Sequence, residues 1–308
     1  MTDEKRAFRT LMRLLFLVLP LLCSPVLHAQ TAVEDALKQL TGENGKGYMQ
    51  PVADLFGANM NSGYYHSAAI ATMGLHLEFD IVVMGALVAE EQETYTAKTP
   101  EGFVPATFKT ATIFGGKGTE VQYQPQPGVT LSYRSPDGVF NTSMFPLAVP
   151  QLTVGSLFGT QVTARFAALP RLGDDNIPKS TLWAAGVRHN IGQWFPGLPL
   201  NLSASFFYSS FEAEDLVDYK GTSLGAQASK AFGVLEVYGG LAYENSTMKI
   251  SYVSTDPYAP GTVNFDLDGE NAFRFTAGLG LNLGIFKIFA DANFGSVTVF
   301  SGGIGIGG

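Results

Sequence analysis

His76 stands two residues before Glu78 and four before Asp80. In an extended chain alternate side chains share a face, so this spacing sets one imidazole and two carboxylates together. They could form a polar network. The other histidines beyond the first thirty residues, His66 and His189, stand at no metal-ligand spacing from it or from each other, so no metal site is expected. No serine or aspartate is set with a histidine in a nucleophile motif, so no catalytic residue is assigned and the chain is not read as an enzyme. Gly115-Gly116-Lys117-Gly118-Thr119 departs from phosphate-loop spacing, because Gly118 separates Lys117 from Thr119; it reads as a flexible loop. The acids Asp174, Asp175, Glu212, Glu214, Asp215, Asp218, Asp266, Asp268 and Glu270 lack the full calcium-loop pattern and read as solvated loop tips. No cofactor is expected.

These groups must be held by strands, and the segment Phe273–Leu283 shows how. Phe273, Phe275, Ala277, Leu279, Leu281 and Leu283 make one apolar face, and Arg274, Thr276, Gly278, Gly280 and Asn282 the other. In a membrane barrel the first face meets lipid and the second the lumen. The same alternation places His76, Glu78, Asp80, Arg165, Arg188, Glu236, Arg274, Lys287 and Asp291 as lumen or ligand candidates, with Lys230 and Glu244 beside them. Both signs are present, which suits salt bridges knitting an interior better than a one-sign selective ring. Gly278 and Gly280 leave a bare stretch where a plug or ligand could approach the wall.

The whole chain supports that setting. Lys5, Arg6, Arg9 and Arg13 precede the apolar run Leu14–Leu22, which is short of the roughly 20 residues of a spanning helix, so residues 1–29 read as a signal peptide. Cys23 is the only cysteine, and its removal excludes disulfides and thiolate chemistry; a lipoprotein anchor on Cys23 is the alternative, with Leu22 placed against it. The net charge of -8 moves to near -10 after cleavage and argues against nucleic acid as a partner. The chain is 46% hydrophobic but only 15% charged, with 35 glycines and 23 phenylalanines. A soluble domain carries about a quarter charged residues.

Along the mature chain, Val33, Ala36, Leu37 and Leu40 predict a short helix stopped at Gly42. After a Gly-rich break, Val52, Leu55 and Phe56 predict a second one, with Pro51 early in it. Residues 30–65 form this helical segment, either a plug or periplasmic-side hatch in the barrel or a lid under its mouth; residues 66–308 form the barrel. Strands are expected from Leu75, near Val129 to Tyr133, and regularly from Gln161 onward. Seven prolines between 89 and 150 mark long loops with short strands. Residues 170–180, 212–220 and 245–270 read as long loops, while Phe232-Gly233-Val234, Leu283-Gly284-Ile285 and Phe294-Gly295-Ser296 read as tight turns. Trp194, Phe195, Tyr208, Phe211, Tyr219, Tyr243 and Tyr252 are assigned to interfacial girdles. The predicted fold is all-β, an antiparallel transmembrane β-barrel of about 10 to 14 strands with a short N-terminal helical plug or lid.

Gly47-Tyr-Met-Gln-Pro-Val-Ala-Asp-Leu-Phe-Gly-Ala-Asn-Met-Asn-Ser-Gly-Tyr-Tyr65, with Gly186-Val-Arg-His-Asn-Ile191 before Trp-Phe-Pro, resembles an uncharacterised family of Gram-negative outer-membrane barrels. The helical prefix is more distantly similar to FadL-like transporters of hydrophobic compounds. The resemblance implies an outer-membrane location and brings no assigned site residues. The expected function is passive transport or binding of a small hydrophobic molecule; a structural or surface-interaction barrel without transport is the alternative. Expected partners are outer-membrane lipid and lipopolysaccharide, a small hydrophobic ligand, and the secretion and barrel-assembly machinery.

Overall fold

The computed structural model describes residues 32–308 except 34, 41, 170–178, 215 and 255–259. The expected signal peptide and Asp174, Asp175 and Asp215 lie outside the described residues. Period-two patterning builds fifteen strands there: β1 Met73–Leu87, β2 Thr94–Lys98, β3 Thr107–Ala111, β4 Glu120–Gln126, β5 Val129–Arg134, β6 Met144–Leu157, β7 Thr160–Leu169, β8 Ser180–Asn190, β9 Asn201–Ala213, β10 Val217–Phe232, β11 Leu235–Ser254, β12 Gly261–Asp268, β13 Phe273–Leu283, β14 Phe286–Phe294 and β15 Val299–Gly307. Ten of them close an antiparallel barrel in the order β1, β6, β7, β8, β9, β10, β11, β13, β14, β15. The last pairs back to β1 with Ile306 opposite Phe79. Closure leaves no free sheet edge around the ring.

All ten barrel strands turn large apolar side chains outward. Leu75 is 87% exposed, Phe273 72%, Phe166 61% and Ile304 63%, and Leu152, Val187, Phe206, Leu224, Leu241 and Ile288 continue the belt around the other strands. The inward positions of the same strands are buried and mostly polar. β13 follows its sequence pattern residue by residue: Phe273, Phe275, Leu279 and Leu281 are exposed, while Arg274 and Thr276 are buried.

The barrel has two unlike ends. At one, β7, β11 and β14 begin after connections at 158–159, 233–234 and 284–285. At the other stand residues 88–143, the connection from β9 to β10, the β11–β12 hairpin and residues 295–298. Several loop expectations change here. The expected loop 212–220 is strand to Ala213 and again from Val217, and most of 245–270 is the continuation of β11 and its hairpin with β12. These stretches look loop-like because their inward apolar residues, Met248, Ile250, Phe265 and Leu267, meet a helix rather than facing lipid. The tight turn after Phe294 lies at the long-loop end, because β14 runs toward it. Pro146 and Pro150 sit inside β6, not in a loop. They are tolerated because the β6–β7 ladder begins only at Gln151, so that part of β6 pairs on one side only. Residues 88–143 carry the β2–β3 and β4–β5 hairpins, the latter at the stretch expected near Val129 to Tyr133.

Helix α1 spans Gly42–Met60, with residues 32–33 and 35–37 helical before it. The Gly-rich stretch expected as a break is helix, and Pro51 stands inside it, not in its first turn. Tertiary contact overrides the weak propensity. A Cβ at Gly47 would strike the Tyr95 ring, and one at Gly57 the Ser246 hydroxyl, so glycine lets the helix seat against the wall. At about 28 Å long, α1 is packed among Met84, Val149, Leu182, Met248, Ile250 and Leu267, with Phe56 against Phe211 and Tyr219 at 5.0 and 4.9 Å. Phe211, Tyr219 and Tyr252 therefore face inward, not into a girdle. Their positions share the inward parity of Ser209, Gly221 and Ile250 on their strands. Trp194 and Tyr243 are exposed at 63% and 53%, and Tyr208 packs on Trp183 on the outer wall.

Candidate functional site: the occupied lumen

From Met60 the chain leaves the helix and runs as an irregular strap, residues 61–72, down the axis to β1. Several of its residues meet lumen charges. Arg274 Nη2 donates to the Ala58 carbonyl at 2.8 Å and Nη1 to Ser62 Oγ at 2.7 Å. Its Nε and Nη2 grip Glu244 at 2.6 and 2.9 Å, and Asn271 adds a third donor to that carboxylate. Arg165, 2% exposed, donates to the carbonyls of Met60 and Ser62 and to Gln151 Oε1, and its guanidinium lies 3.7 Å over the Tyr64 ring. A planar five-donor group suits this fork of acceptors and the ring stacking together.

Lower down, Tyr64 stacks on Phe207 at 3.9 Å, and Tyr65 packs edge-on to Tyr238, whose hydroxyl donates to Asp291 at 2.9 Å. Asp291 also accepts from Ser301 and Asn293. A residual cavity of about 20 Å³, room for one water, lies among Tyr64, Tyr65, Phe207, Gln227, Arg274 and Asp291. The glycine stretch of β13 is covered: the Tyr238 ring lies across Gly278, and the strap carbonyl of His66 approaches Gly280. The expected close approach is made by irregular chain rather than by a helix.

Near the short-turn end the strap is latched again. His66 Nε2 and Glu78 Oε1 are 2.5 Å apart, Lys287 Nζ donates to Glu78 Oε2, and His76 stands 3.5 Å from the same oxygen. Ser67 donates to Glu236 at 2.6 Å, and its carbonyl accepts from Arg188 Nη1 at 2.7 Å, while Arg188 Nη2 reaches Gln161. Asn190 holds the Ile70 carbonyl, and Gly159 N–H donates to Thr72. One donor atom each from His66, Glu78 and Asp80 lies within 4.8 Å of the others, the spacing of a cation site. Lys287 already pairs with the second oxygen of Glu78, and Asp80 Oδ2 accepts from Gln151 Nε2 at 3.2 Å. The chemistry this set performs is clasping the strap to the wall.

All nine candidate positions lie on the inward faces of their strands, and the structure brings them to one strap rather than to one pocket. His76, Glu78, Lys287 and Asp80 cluster; Arg188 and Glu236 share Ser67; Arg165 and Arg274 share Ser62; Asp291 stands beneath Tyr65 through Tyr238. Lys230 does not join them. It is exposed on the outer wall over Phe232, because inward positions of β10 are odd-numbered, as Ser223, Gln227 and Ser229 show. Sequence reasoning missed Ser62, Tyr64, Tyr65, Ser67 and the amides Gln151 and Gln161. The amides stood at inward parity; the strap has no periodicity that would reveal it. Toward the long-loop end, burial in the helix packing pushes the Asp54 carboxyl up to about 6, against hydrogen bonds from Gln50 and the Glu270 N–H.

Similar solved structures are barrels of low identity. A loop-deletion mutant of OmpT, an outer membrane protein of Vibrio cholerae, covers 77% of this chain and 100% of its own at 6% identity and TM-score 0.26. Ail of Yersinia pestis, in complex with a heparin analogue, covers 75% and 97% at 9% identity and TM-score 0.23. A porin mutant of Rhodopseudomonas blastica covers 77% and 100% at 12% identity and TM-score 0.15. Scores of this size transfer no function. No curated protein matches the sequence. One family profile matches residues 6–308, and the chain therefore belongs to the family of unknown function DUF6588.

Proposed function

We propose that this protein is an outer-membrane barrel, closed along its axis by its own N-terminal segment, that works through its long-loop face as a structural or surface-interaction protein. The observation that carries the reading is the occupied lumen: Arg165, Arg188 and Arg274 all donate to backbone carbonyls of α1 or the strap, so the filling is bound by the wall's own charges. The continuous apolar belt supports a lipid neighbour, since contiguous exposed apolar surface of this extent marks a membrane or partner contact. Every barrel strand has at least nine residues, the length a tilted strand needs to cross the hydrocarbon layer. Lipid, lipopolysaccharide and the barrel-assembly machinery follow as partners of such a protein.

Conductance of the purified full-length chain in planar bilayers tests this directly. The expected result is no steady conductance; a stable open current in the unmodified protein overturns the closed reading. A second reading, passage of a small hydrophobic molecule, is favoured by one feature: the upper lumen around α1 is lined by Val82, Met84, Val149, Leu182 and Met248, an apolar chamber once the helix is displaced. Deleting residues 31–63 tests it; uptake of a hydrophobic probe unchanged by the deletion counts against a plug.

A further inference from the structure

Contacts of the N-terminal segment fall in strict order along the barrel axis. Lys38 and Leu40 carbonyls accept from Ser254 and Tyr252 at the tip of β11, and Asn44 pairs with the backbone of Lys98 in the β2–β3 hairpin. Gln50 reaches Asp268, and Asp54 the N–H of Glu270. Met60 and Ser62 then meet Arg165, His66 meets Glu78, Ser67 meets Arg188, and Ile70 and Thr72 meet Asn190 and Gly159 beside the short turns. The segment thus enters at the long-loop end and leaves at the other, inside a wall sealed by the β1–β15 ladder.

We infer that the barrel carries its own N-terminal segment across the membrane and presents residues 35–40 and 42–43 on the outer face, beside the long loops. The inference rests on the outer-membrane reading, in which short turns face the periplasm and long loops the exterior. Residues 61–72 are then the membrane-crossing part, and they cross as irregular chain. That is permitted because they lie inside the protein wall, where the Ser62 and Ser67 carbonyls accept from Arg165 and Arg188, the Tyr64 and Ile70 carbonyls from Gln151 and Asn190, and the Thr72 carbonyl from Gly159 N–H. The presented surface includes the exposed side chains of Asp35, Gln39 and Glu43, the last paired with Lys98 on the rim at 2.9 Å. The wall has no seam between β15 and β1, so the segment is threaded as the barrel closes rather than inserted afterwards.

Single-cysteine labelling of intact cells with a membrane-impermeant maleimide tests this in a Cys23→Ser background. Gln39→Cys probes the segment, Gln126→Cys the β4–β5 turn among the long loops, and Pro199→Cys the connection between β8 and β9; all three positions are exposed. The expected result is labelling of Gln39→Cys on intact cells to the extent of Gln126→Cys, with Pro199→Cys labelled only after permeabilisation. Labelling of Gln39→Cys only after permeabilisation, with Gln126→Cys labelled before it, overturns the inference and leaves the membrane reading standing. Equal labelling of Gln126→Cys and Pro199→Cys, or the reverse order, overturns both. Trypsin on intact cells reads the unsubstituted chain: cleavage after Lys38, found by mass spectrometry of the shortened barrel, is expected, and full protection of that bond counts against presentation.

Discussion

The two halves of the lumen hold the same segment by opposite physics. Toward the long loops the segment is a helix, and Met84, Val149, Met248, Ile250 and Leu267 pack on it. Toward the short turns it is irregular and non-helical, and Arg165, Arg188, Glu78 and Glu236 bond to it. The difference follows from backbone accounting. A helix satisfies its own N–H and C=O groups and needs only apolar walls, whereas a non-helical chain in a closed space must find a partner for each group. The wall changes character where the segment does: along β1 the inward positions go from His76, Glu78 and Asp80 to Val82, Met84 and Ala86. One half is tolerant of volume-conserving change, and the other is sensitive to the loss of any one charge.

The largest break in that comparison comes from the polar half's upper boundary. Arg274→Ala leaves Glu244 buried without its partner and is expected to lower stability by about 3–5 kcal/mol in urea unfolding from detergent micelles. Adding Glu244→Gln recovers part of the loss, because the stranded charge is gone. If the single and double variants unfold alike, the pair is not the element that holds the boundary. Phe56→Ala tests the apolar half and is expected to remove about 3 kcal/mol, with hydrogen exchange rising along α1 before it rises in the strap. Simultaneous loosening of both would make the halves one cooperative unit.

The smallest effect is a pH dependence within the helical half. The Asp54 carboxyl titrates at about 6 when folded, above its ordinary value of 3.8. The folded state binds the proton more tightly, so this contribution to stability is present below about pH 4 and is lost as pH rises through 6, on the order of 3 kcal/mol in all and about half of that between pH 5 and pH 7.5. Exchange protection of α1 is therefore expected to be higher at pH 5 than at pH 7.5. Asp54→Asn keeps an acceptor for Gln50 and Glu270 and is expected to flatten that difference. A wild-type profile with no change between those values removes Asp54 as the cause.

Much of the wall was legible in the residues. In β13 the alternation from Phe273 to Leu283 names both faces, and the same reading puts Arg165, Arg188, Glu236 and Asp291 inside. Several of the errors share one cause. Met248, Ile250 and Tyr252 in β11, Phe265 and Leu267 in β12, and Phe211 and Tyr219 at the β9–β10 rim are apolar on the inner face, where the membrane pattern expects polar groups. Their partner is a helix far away in sequence, and periodicity within a strand carries no record of it. Gly42, Gly45 and Gly47 mislead for the same reason, since they read locally as a break and serve in the fold as the flat side of a helix.

The sequence by itself determined the strand period, the facing of nearly every barrel residue and the presence of both charge signs inside, because these depend only on neighbours two positions apart. The tertiary structure decided the closure at ten strands and the pairing of each charge. It also decided that residues 42–72 run along the barrel interior instead of resting at one mouth. Those outcomes depend on groups more than a hundred residues apart, such as Ser62 with Arg274 and Arg165. Only a folded chain brings such groups within bonding distance.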